Sequence, residues 1–325
     1  MRLGLLAVLL GLFARAAWAA TPDDFTECKS ANDAERMIAG CTRVIEEKLF
    51  PADTLANAHL RRGAAYHHQG DYDKALADYD EAIRLAPNGA VTYFFRGQLY
   101  YDENDYGRAV ADETRALKLD PMMTSAYNWR GLAYFVQRYN DLAIADFSAA
   151  ILTNPDYANA YWNRGQAYEA AQDFTRALAD YNELIRIEPD KGVGYASRAK
   201  AYRVLGDYQH AMADAEKLLS LDPDYYGAYS VRGDIYRAQG DLTRAIADYS
   251  EDIKRHFNNS EAYRRRAVAY RLKGDRDNAI ADFKAVVNAN PRDSANERAE
   301  LRALGVEPPD PDRVPKAKDL LNSLR

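Results

Sequence analysis

The sequence predicts an all-α protein in which one helical hairpin is repeated along the chain. The first observation behind this prediction is a period of 34 residues, which holds without insertion from Ala56 onward. Within each period, apolar residues fall at helical spacing in two runs, and a turn that is often Gly-Asp separates them. A proline closes most periods, and the residue before a proline is driven out of the helical conformation.

Residues 1–19 have the pattern of a cleavable secretory signal. Arg2 precedes an apolar run over residues 3–13, and small residues at Ala17 and Ala19 are typical of a cleavage site. The alternative is a retained N-terminal anchor helix, although eleven apolar residues are too few to span a bilayer. We therefore expect export across the inner membrane, a periplasmic location and no stable membrane insertion.

The composition suits a folded protein with an acidic balance. The chain is 47% hydrophobic and 28% charged, which argues against disorder. Without residues 1–19, which hold two arginines and no acids, 41 basic and 49 acidic side chains remain. The resulting formal charge of −8 gives no general attraction to nucleic acid or anionic lipid, so we expect no nucleic-acid partner.

Residues 20–55 are predicted to form a divergent helix pair that carries both cysteines of the protein. Cys28 lies on the first helix and Cys41 on the second, and an oxidising compartment favours a disulfide between them. Two buried thiols or a redox pair are the alternatives, although this spacing is not the CxxC pattern. The disulfide would join a terminal pair that has a neighbour on one side only.

Seven contiguous repeats follow, and each contains an arginine that precedes an aspartate by sixteen residues. Because the pair recurs in every repeat, we interpret it as part of the scaffold and not as an active site. The sequence leaves open whether each arginine meets the aspartate of its own repeat or of the preceding one. The repeats are 56–89, 90–123, 124–157, 158–191, 192–225, 226–259 and 260–293, and the pairs are Arg62–Asp78, Arg96–Asp112, Arg130–Asp146, Arg164–Asp180, Arg198–Asp214, Arg232–Asp248 and Arg266–Asp282.

This pattern resembles the tetratricopeptide repeat over residues 56–293. The resemblance implies a right-handed α-solenoid of antiparallel helix pairs, with the first helices lining a concave groove and the second helices on the convex side. The signal pattern, the cysteine-containing first pair and the RGxxY/AxADY style of repeat resemble exported bacterial members in particular. Three repeats depart from the pattern: Glu113 and Ala215 replace an aromatic residue in the second and the fifth, and the sixth carries Asp252 and Phe257.

The end of the sequence is predicted to close the array. Residues 294–305 predict a helix that caps the last repeat, as an α-solenoid requires. Residues 306–325 form a proline-rich tail, whose final segment KAKDLLNSLR is either frayed or a docking peptide.

No motif typical of an enzyme is present in the sequence. Glycine-rich phosphate loops, metal-ligand spacings and a GxSxG turn are all missing. His67 and His68 are adjacent, so on a helix they point about 100° apart and cannot easily share a metal. We therefore predict no enzymatic activity, no catalytic residue, no cofactor and no metal.

The resemblance implies that six positions of each first helix line the groove, and two different residue sets fill them. The aromatic set suits apolar anchors and the N–H and C=O groups of an extended peptide, with Trp129 and Trp162 as the leading candidates. The basic set suits carboxylates. The aromatic set is Phe94, Phe95, Gln98, Tyr101, Asn128, Trp129, Phe135, Asn159, Trp162, Asn163 and Gln166; the basic set is Lys200, Arg203, Arg237, Arg264, Arg265 and Arg271.

Alternatives remain for both sets. The aromatic side chains could pack against the neighbouring helix, and the basic side chains could be paired with nearby acids such as Asp234 and Glu261. The carboxylate clamp of the family is not reproduced, because Leu60 and Ala64 occupy two of the required places.

Three functions of different class are compatible with these observations. The leading hypothesis is a non-enzymatic scaffold of the bacterial periplasm or cell envelope that binds a protein or peptide segment in its groove. The second is a structural protein that self-associates through the groove or a terminal face. The third is a specificity subunit for an envelope enzyme encoded elsewhere. The sequence does not name the partner.

Overall fold

In a computed structural model, the protein is all-α over the residues that the structure describes, which are 26–29, 33–47, 50–290 and 294–308. This described part contains sixteen helices with defined bounds, a helical stretch at residues 26–28 and no strand. The predicted signal, residues 1–19, and positions 309–325 of the predicted tail lie outside the described residues. The helices are α1 (Ala34–Glu47), α2 (Ala52–His68), α3 (Tyr72–Leu85), α4 (Ala90–Asp102), α5 (Tyr106–Leu119), α6 (Thr124–Val136), α7 (Asn140–Thr153), α8 (Ala158–Ala170), α9 (Phe174–Ile187), α10 (Gly192–Val204), α11 (Tyr208–Leu221), α12 (Ala228–Ala238), α13 (Leu242–Arg255), α14 (Ser260–Lys273), α15 (Arg276–Ala289) and α16 (Ala295–Ala303).

The protein divides into two compact bodies, an N-terminal body of residues 1–167 and a C-terminal body of residues 168–325. In the N-terminal body, α2 pairs with α3, α4 with α5 and α6 with α7. In the C-terminal body, α10 pairs with α11, α12 with α13 and α14 with α15. The predicted all-α fold of consecutive antiparallel helix pairs is confirmed.

The turn inside a repeat combines a left-handed residue with a capping aspartate, except in the third repeat, where Tyr139 takes the capping position and makes no side-chain cap. Gly206 and Gly240 have φ values of +79° and +83°, which glycine adopts without strain. Asp207 and Asp241 follow, and each side chain accepts a hydrogen bond from the backbone N–H three residues later, which caps the second helix. In three repeats the left-handed position holds a residue other than glycine, with φ values of +63°, +67° and +61° at Asn104, Arg138 and Gln172 respectively.

In the first, third and sixth repeats, the two helices approach closely because a glycine on the first helix faces an aromatic ring on the second. A Cβ atom on Gly63 would lie 2.9 Å from the ring of Tyr79, and one on Gly131 would lie 2.7 Å from the ring of Phe147. Both rings are fully buried. The glycine that follows the recurring arginine in these repeats therefore allows the two helices to pack closely.

The second repeat departs from this packing. Glu113 takes the place of the aromatic residue, is only 1% exposed and lies against Gly97. Neither of its carboxyl oxygens has a hydrogen-bond partner among the described residues. Burial, reinforced by the charge of Asp112, raises the pKa of Glu113 to about 10. The carboxyl group is therefore protonated at neutral pH.

The recurring arginine binds the aspartate of its own repeat in two hydrogen bonds. Arginine Nε and Nη2 each donate to one carboxylate oxygen, at 2.7–2.9 Å. These bonds raise the pKa of each of these arginines above its ordinary value. The pairs with this geometry are Arg62–Asp78, Arg96–Asp112, Arg130–Asp146, Arg198–Asp214, Arg232–Asp248 and Arg266–Asp282.

The pairing with the aspartate of the same repeat answers the question that the sequence left open. The same arginine also reaches the preceding helix pair through a different acceptor. Arg130 Nη1 donates to the hydroxyl of Thr114 at 3.1 Å, and Arg266 Nη1 donates to Ser250 at 2.9 Å. Each of these arginines therefore joins three helices: its own, the second helix of its repeat and the second helix of the repeat before. The other acceptors of this kind are Thr42, Asp80, Ser148 and Asn182, bound by Arg62, Arg96, Arg164 and Arg198 respectively.

Both ends of the described array carry additional packing. A disulfide joins Cys28 to Cys41 on α1, and both residues are buried. At the other end, α16 buries Leu301 against Phe283 and Val287 of α15.

Candidate partner-binding surfaces

The aromatic set lies in the N-terminal body on the first helices α4, α6 and α8. Trp129 is partly exposed, and its ring meets that of Tyr101 edge-on at a centroid distance of 5.3 Å. Trp162 is also partly exposed. Because both tryptophans keep part of their surface in solvent, they offer apolar area to a partner.

The phenylalanines of this set are shared between the surface and the core. Phe95 stacks on the buried Tyr79 at 6.4 Å and meets Phe94 edge-on at 5.4 Å. Phe135 packs against a cluster that contains Phe147. All three phenylalanines are half-buried. Packing against neighbouring helices therefore accounts for part of each of these rings.

The amides of the set divide by burial. Asn128 and Asn163 are 4% and 5% exposed, and Asn163 Nδ2 donates to Asn128 Oδ1 at 2.8 Å. This buried bond joins α6 to α8 directly beside Trp129 and Trp162. Asn159 is exposed, while Gln98 and Gln166 are half-buried. The structure thus places two of the predicted contact amides below the surface, where they link the first helices.

The basic set lies in the C-terminal body, and most of its members have acidic neighbours. Arg265 Nη1 donates to Asp234 at 2.8 Å, and its Nε donates to Glu261 at 2.9 Å. Three other members also contact acidic side chains: Arg237 contacts Asp234 at 3.4 Å, Arg264 pairs with Glu261 and Glu297, and Arg271 contacts Glu300 at 3.5 Å.

Lys200 and Arg203 on α10 differ from these four. Among the described residues, no acceptor lies within hydrogen-bond or ion-pair distance of the Lys200 ammonium, and the buried Nε of Arg203 has no acceptor either. Lys200 is exposed, yet protein surrounds it closely enough that loss of solvation lowers its pKa. The neighbouring charge of Arg265 lowers that pKa further.

A cavity of about 180 Å³ opens beside Lys200. It lies between the first helices α10, α12 and α14, all within the C-terminal body. Its wall combines charged, hydroxyl and aromatic groups, and includes Lys200, Tyr225, Tyr226, Ser230, Glu261 and Arg265.

The cavity coincides with the irregular sixth repeat. Gly227 has a φ of +82°, and α12 begins after it, two residues later in its repeat than α10 and α14 begin in theirs. Below the cavity, Asp252 is fully buried and accepts hydrogen bonds from the backbone N–H and the hydroxyl of Ser230. The departure at Asp252 therefore fixes one wall of the cavity. The other departure of this repeat, Phe257 in place of the closing proline, is 75% exposed.

The sequence pattern did not identify three polar members of this region, Glu169, Ser230 and Asn259. Glu169 is half-buried beside Lys200 and Arg203, and burial raises its pKa. Two signals in the sequence pointed to the region: the basic set that includes Lys200 and Arg265, and the break in the repeat at Asp252 and Phe257. Charged partners that lie on different first helices are about thirty residues apart in sequence, so the pattern of one repeat does not reveal them.

Two features are absent from the described residues. None of the described helices has the length and apolar character that crossing a membrane requires. No group of three or more His, Cys, Asp or Glu side chains in the described part is arranged to hold a metal ion.

Solved structures with a similar fold are all-helical repeat proteins. A tetratricopeptide repeat protein from Parabacteroides merdae ATCC 43184 is 18% identical, with a TM-score of 0.66 over 77% of this chain and 98% of that one. PilW, a type IV pilus biogenesis factor, is 19% identical, with a TM-score of 0.57 over 65% and 98%. The APC/C hetero-tetramer Cut9–Hcn1 gives 16% identity and a TM-score of 0.59 over 83% and 52%. At these identities the likeness shows the fold alone.

Family profiles identify the repeats directly. No curated protein matches the chain by sequence. Profiles described as tetratricopeptide repeat match residues 56–88, 96–151, 137–191, 197–255 and 260–293. These matches follow the 34-residue period and together span most of the sequence. The chain belongs to the tetratricopeptide repeat family.

Proposed function

We propose that this protein is a non-enzymatic scaffold that binds an extended segment of a partner protein on the first-helix face of its N-terminal body. The observation that carries the proposal is the pair of partly exposed tryptophans, Trp129 and Trp162, beside the buried Asn128–Asn163 bond. Partly exposed aromatic side chains are the usual anchors of protein interfaces. A surface whose helices are already joined loses little conformational entropy when a partner binds.

The surroundings of the tryptophans also suit a peptide backbone. Gln98 and Gln166 lie on the same first helices and are half-buried, so part of each amide is open to solvent. A side-chain amide offers both donors and an acceptor, which match the N–H and C=O groups of an extended peptide. Apolar anchors with amides between them therefore favour a peptide segment as the ligand.

The proposed location is the bacterial periplasm or cell envelope. The disulfide between Cys28 and Cys41 suits an oxidising compartment, and the signal pattern of residues 1–19 supports export. The style of the repeats also resembles exported bacterial members of the family.

The proposal is tested by partner capture from a periplasmic extract with the native protein and with Trp129→Ala/Trp162→Ala. Truncation of interface anchors weakens binding by about tenfold or more, so we expect the double variant to lose the captured partner. Tyr139→Ala serves as the matched control, because Tyr139 is 56% exposed in the same body but precedes a second helix. Equal recovery by the native protein and the double variant would rule out this surface as the binding site.

A further inference from the structure

We infer that the C-terminal body has a binding site for one carboxylate of the bound partner, formed by Lys200 and Arg203 at the cavity between α10, α12 and α14. The inference rests on the proposed function and specifies a chemical group of the partner. The carboxylate belongs either to an aspartate or glutamate side chain or to the C-terminus of a polypeptide, and both sources present the same two oxygens.

The first support for the inference is that the six basic side chains differ in their contacts with acidic groups. Arg237, Arg264, Arg265 and Arg271 each contact an acidic side chain of the protein. Lys200 and Arg203 have no such contact among the described residues, although acids are close by. The guanidinium of Arg203 is half-buried and its Nε lacks an acceptor, which is energetically unfavourable. A bound carboxylate oxygen would accept this hydrogen bond.

The position of the two cations on α10 is the second support. They are three residues apart, so their side chains lie on one face of the helix, about one turn from each other. Lys200 also forms part of the cavity wall. We therefore place the anion at the mouth of the cavity, where Lys200 forms the wall and Arg203 lies about one helical turn away.

The charge around the cavity selects a monoanion. Glu261 is part of the wall, and Asp234 and Glu169 lie close enough to act on the pKa of Lys200. These acids would repel a phosphate dianion more strongly than a single carboxylate. Arg265 is already bound to Asp234 and Glu261, which leaves the charge of Lys200 and Arg203 for the ligand.

The remaining walls suit a short side chain or a terminal residue. A volume of about 180 Å³ accommodates one residue and not a larger cofactor. Tyr225 and Tyr226 supply aromatic surface, and Tyr226 is 61% exposed. Ser230 is held in place by its bonds to the buried Asp252, so this wall is fixed before a ligand binds.

The test uses three acetylated alanine pentapeptides, titrated by calorimetry or by NMR against the full-length protein. One has a free C-terminal carboxylate, one has a C-terminal amide, and one has the amide and a central glutamate. We expect at least one carboxylate-bearing peptide to bind in the millimolar range and the uncharged amide not to bind. Preference between the first and third peptides identifies the source of the carboxylate.

Variants then assign the site. Lys200→Met and Arg203→Met should each weaken carboxylate binding by about tenfold or more, because a hydrogen bond to a charged group is lost. Lys217→Met is the control, since Lys217 is exposed on the second helix α11 and should leave binding unchanged. Lys200 is itself exposed, so its replacement leaves the fold intact.

Three results would overturn the inference: equal binding of the uncharged peptide, no binding of either carboxylate peptide, or unchanged binding by both α10 variants. None of these results bears on the tryptophans. If partner capture still depends on Trp129 and Trp162, the proposed function stands while the carboxylate site is discarded.

Discussion

Glu113 makes the stability of the protein depend on pH in a way that one substitution can remove. Its buried carboxyl lies where five of the other six repeats hold an aromatic ring, and burial raises its pKa to about 10. In the unfolded state the same group titrates near its ordinary pKa of 4.5. The substitution Glu113→Gln keeps the shape of the side chain and removes the titration.

The sign and the size of the effect follow from the two pKa values. Below pH 4.5 both states are protonated, and the contribution of Glu113 to stability is fully present. As the pH rises towards 10, the unfolded state loses its proton while the folded state keeps it, so stability falls. The loss is about 3 kcal/mol at pH 7 and about 4 kcal/mol between pH 5 and pH 8, at 1.36 kcal/mol per pH unit.

The assay is denaturant unfolding of the wild-type protein and Glu113→Gln between pH 5 and pH 8. We expect the wild-type free energy of unfolding to fall relative to that of the variant by about 4 kcal/mol over this range. Glu103→Gln is the control, because Glu103 is exposed in the same repeat and its substitution should leave the pH dependence unchanged. Parallel curves for the wild-type protein and Glu113→Gln would refute the reasoning.

Three further predictions concern the scaffold. Arg130→Leu leaves the buried carboxylate of Asp146 unpaired and should lower the free energy of unfolding by about 3 kcal/mol; no change in denaturant unfolding would show that the pair is not stabilising. Gln172→Gly relieves a left-handed residue with φ +61° and should raise the stability by about 0.5–1 kcal/mol in the same assay, whereas a loss would contradict the strain. Reduction of the Cys28–Cys41 disulfide should destabilise the N-terminal helix pair by about 3 kcal/mol, measured by hydrogen exchange of α1, and unchanged exchange would contradict this.

The fold could be predicted from sequence because its determinants recur. The close approach of Gly131 to Phe147 and the pairing of Arg130 with Asp146 act within one repeat, at a constant distance in sequence. Seven copies of the same local pattern leave little freedom for another arrangement. The second contact of Arg130, to Thr114, was not evident, because the acceptor is Asp, Thr, Ser or Asn in different repeats.

The candidate sites were less predictable, because they depend on which side chains pair across repeats. The sequence placed Asn128 and Asn163 on a contact surface, whereas the structure joins them in a buried hydrogen bond. It also grouped Arg265 with Lys200, although only Arg265 has acidic partners, at distances of 31 and 4 residues along the sequence. Whether a cation is available for a ligand depends on contacts between helices that no single repeat encodes.

The arginine that bridges successive repeats affects how the unfolding of one repeat spreads to the next. Each Nη1 contact links the folding of one hairpin to that of its predecessor, which is the nearest-neighbour coupling that makes a linear array unfold as a block. Within the described residues, Arg232 makes only the contacts to its own repeat, without the backward bond that Arg198 and Arg266 make. The coupling between the fifth and sixth repeats therefore does not include this arginine bond and depends on other contacts, among them the pairing of Arg255 with Asp224.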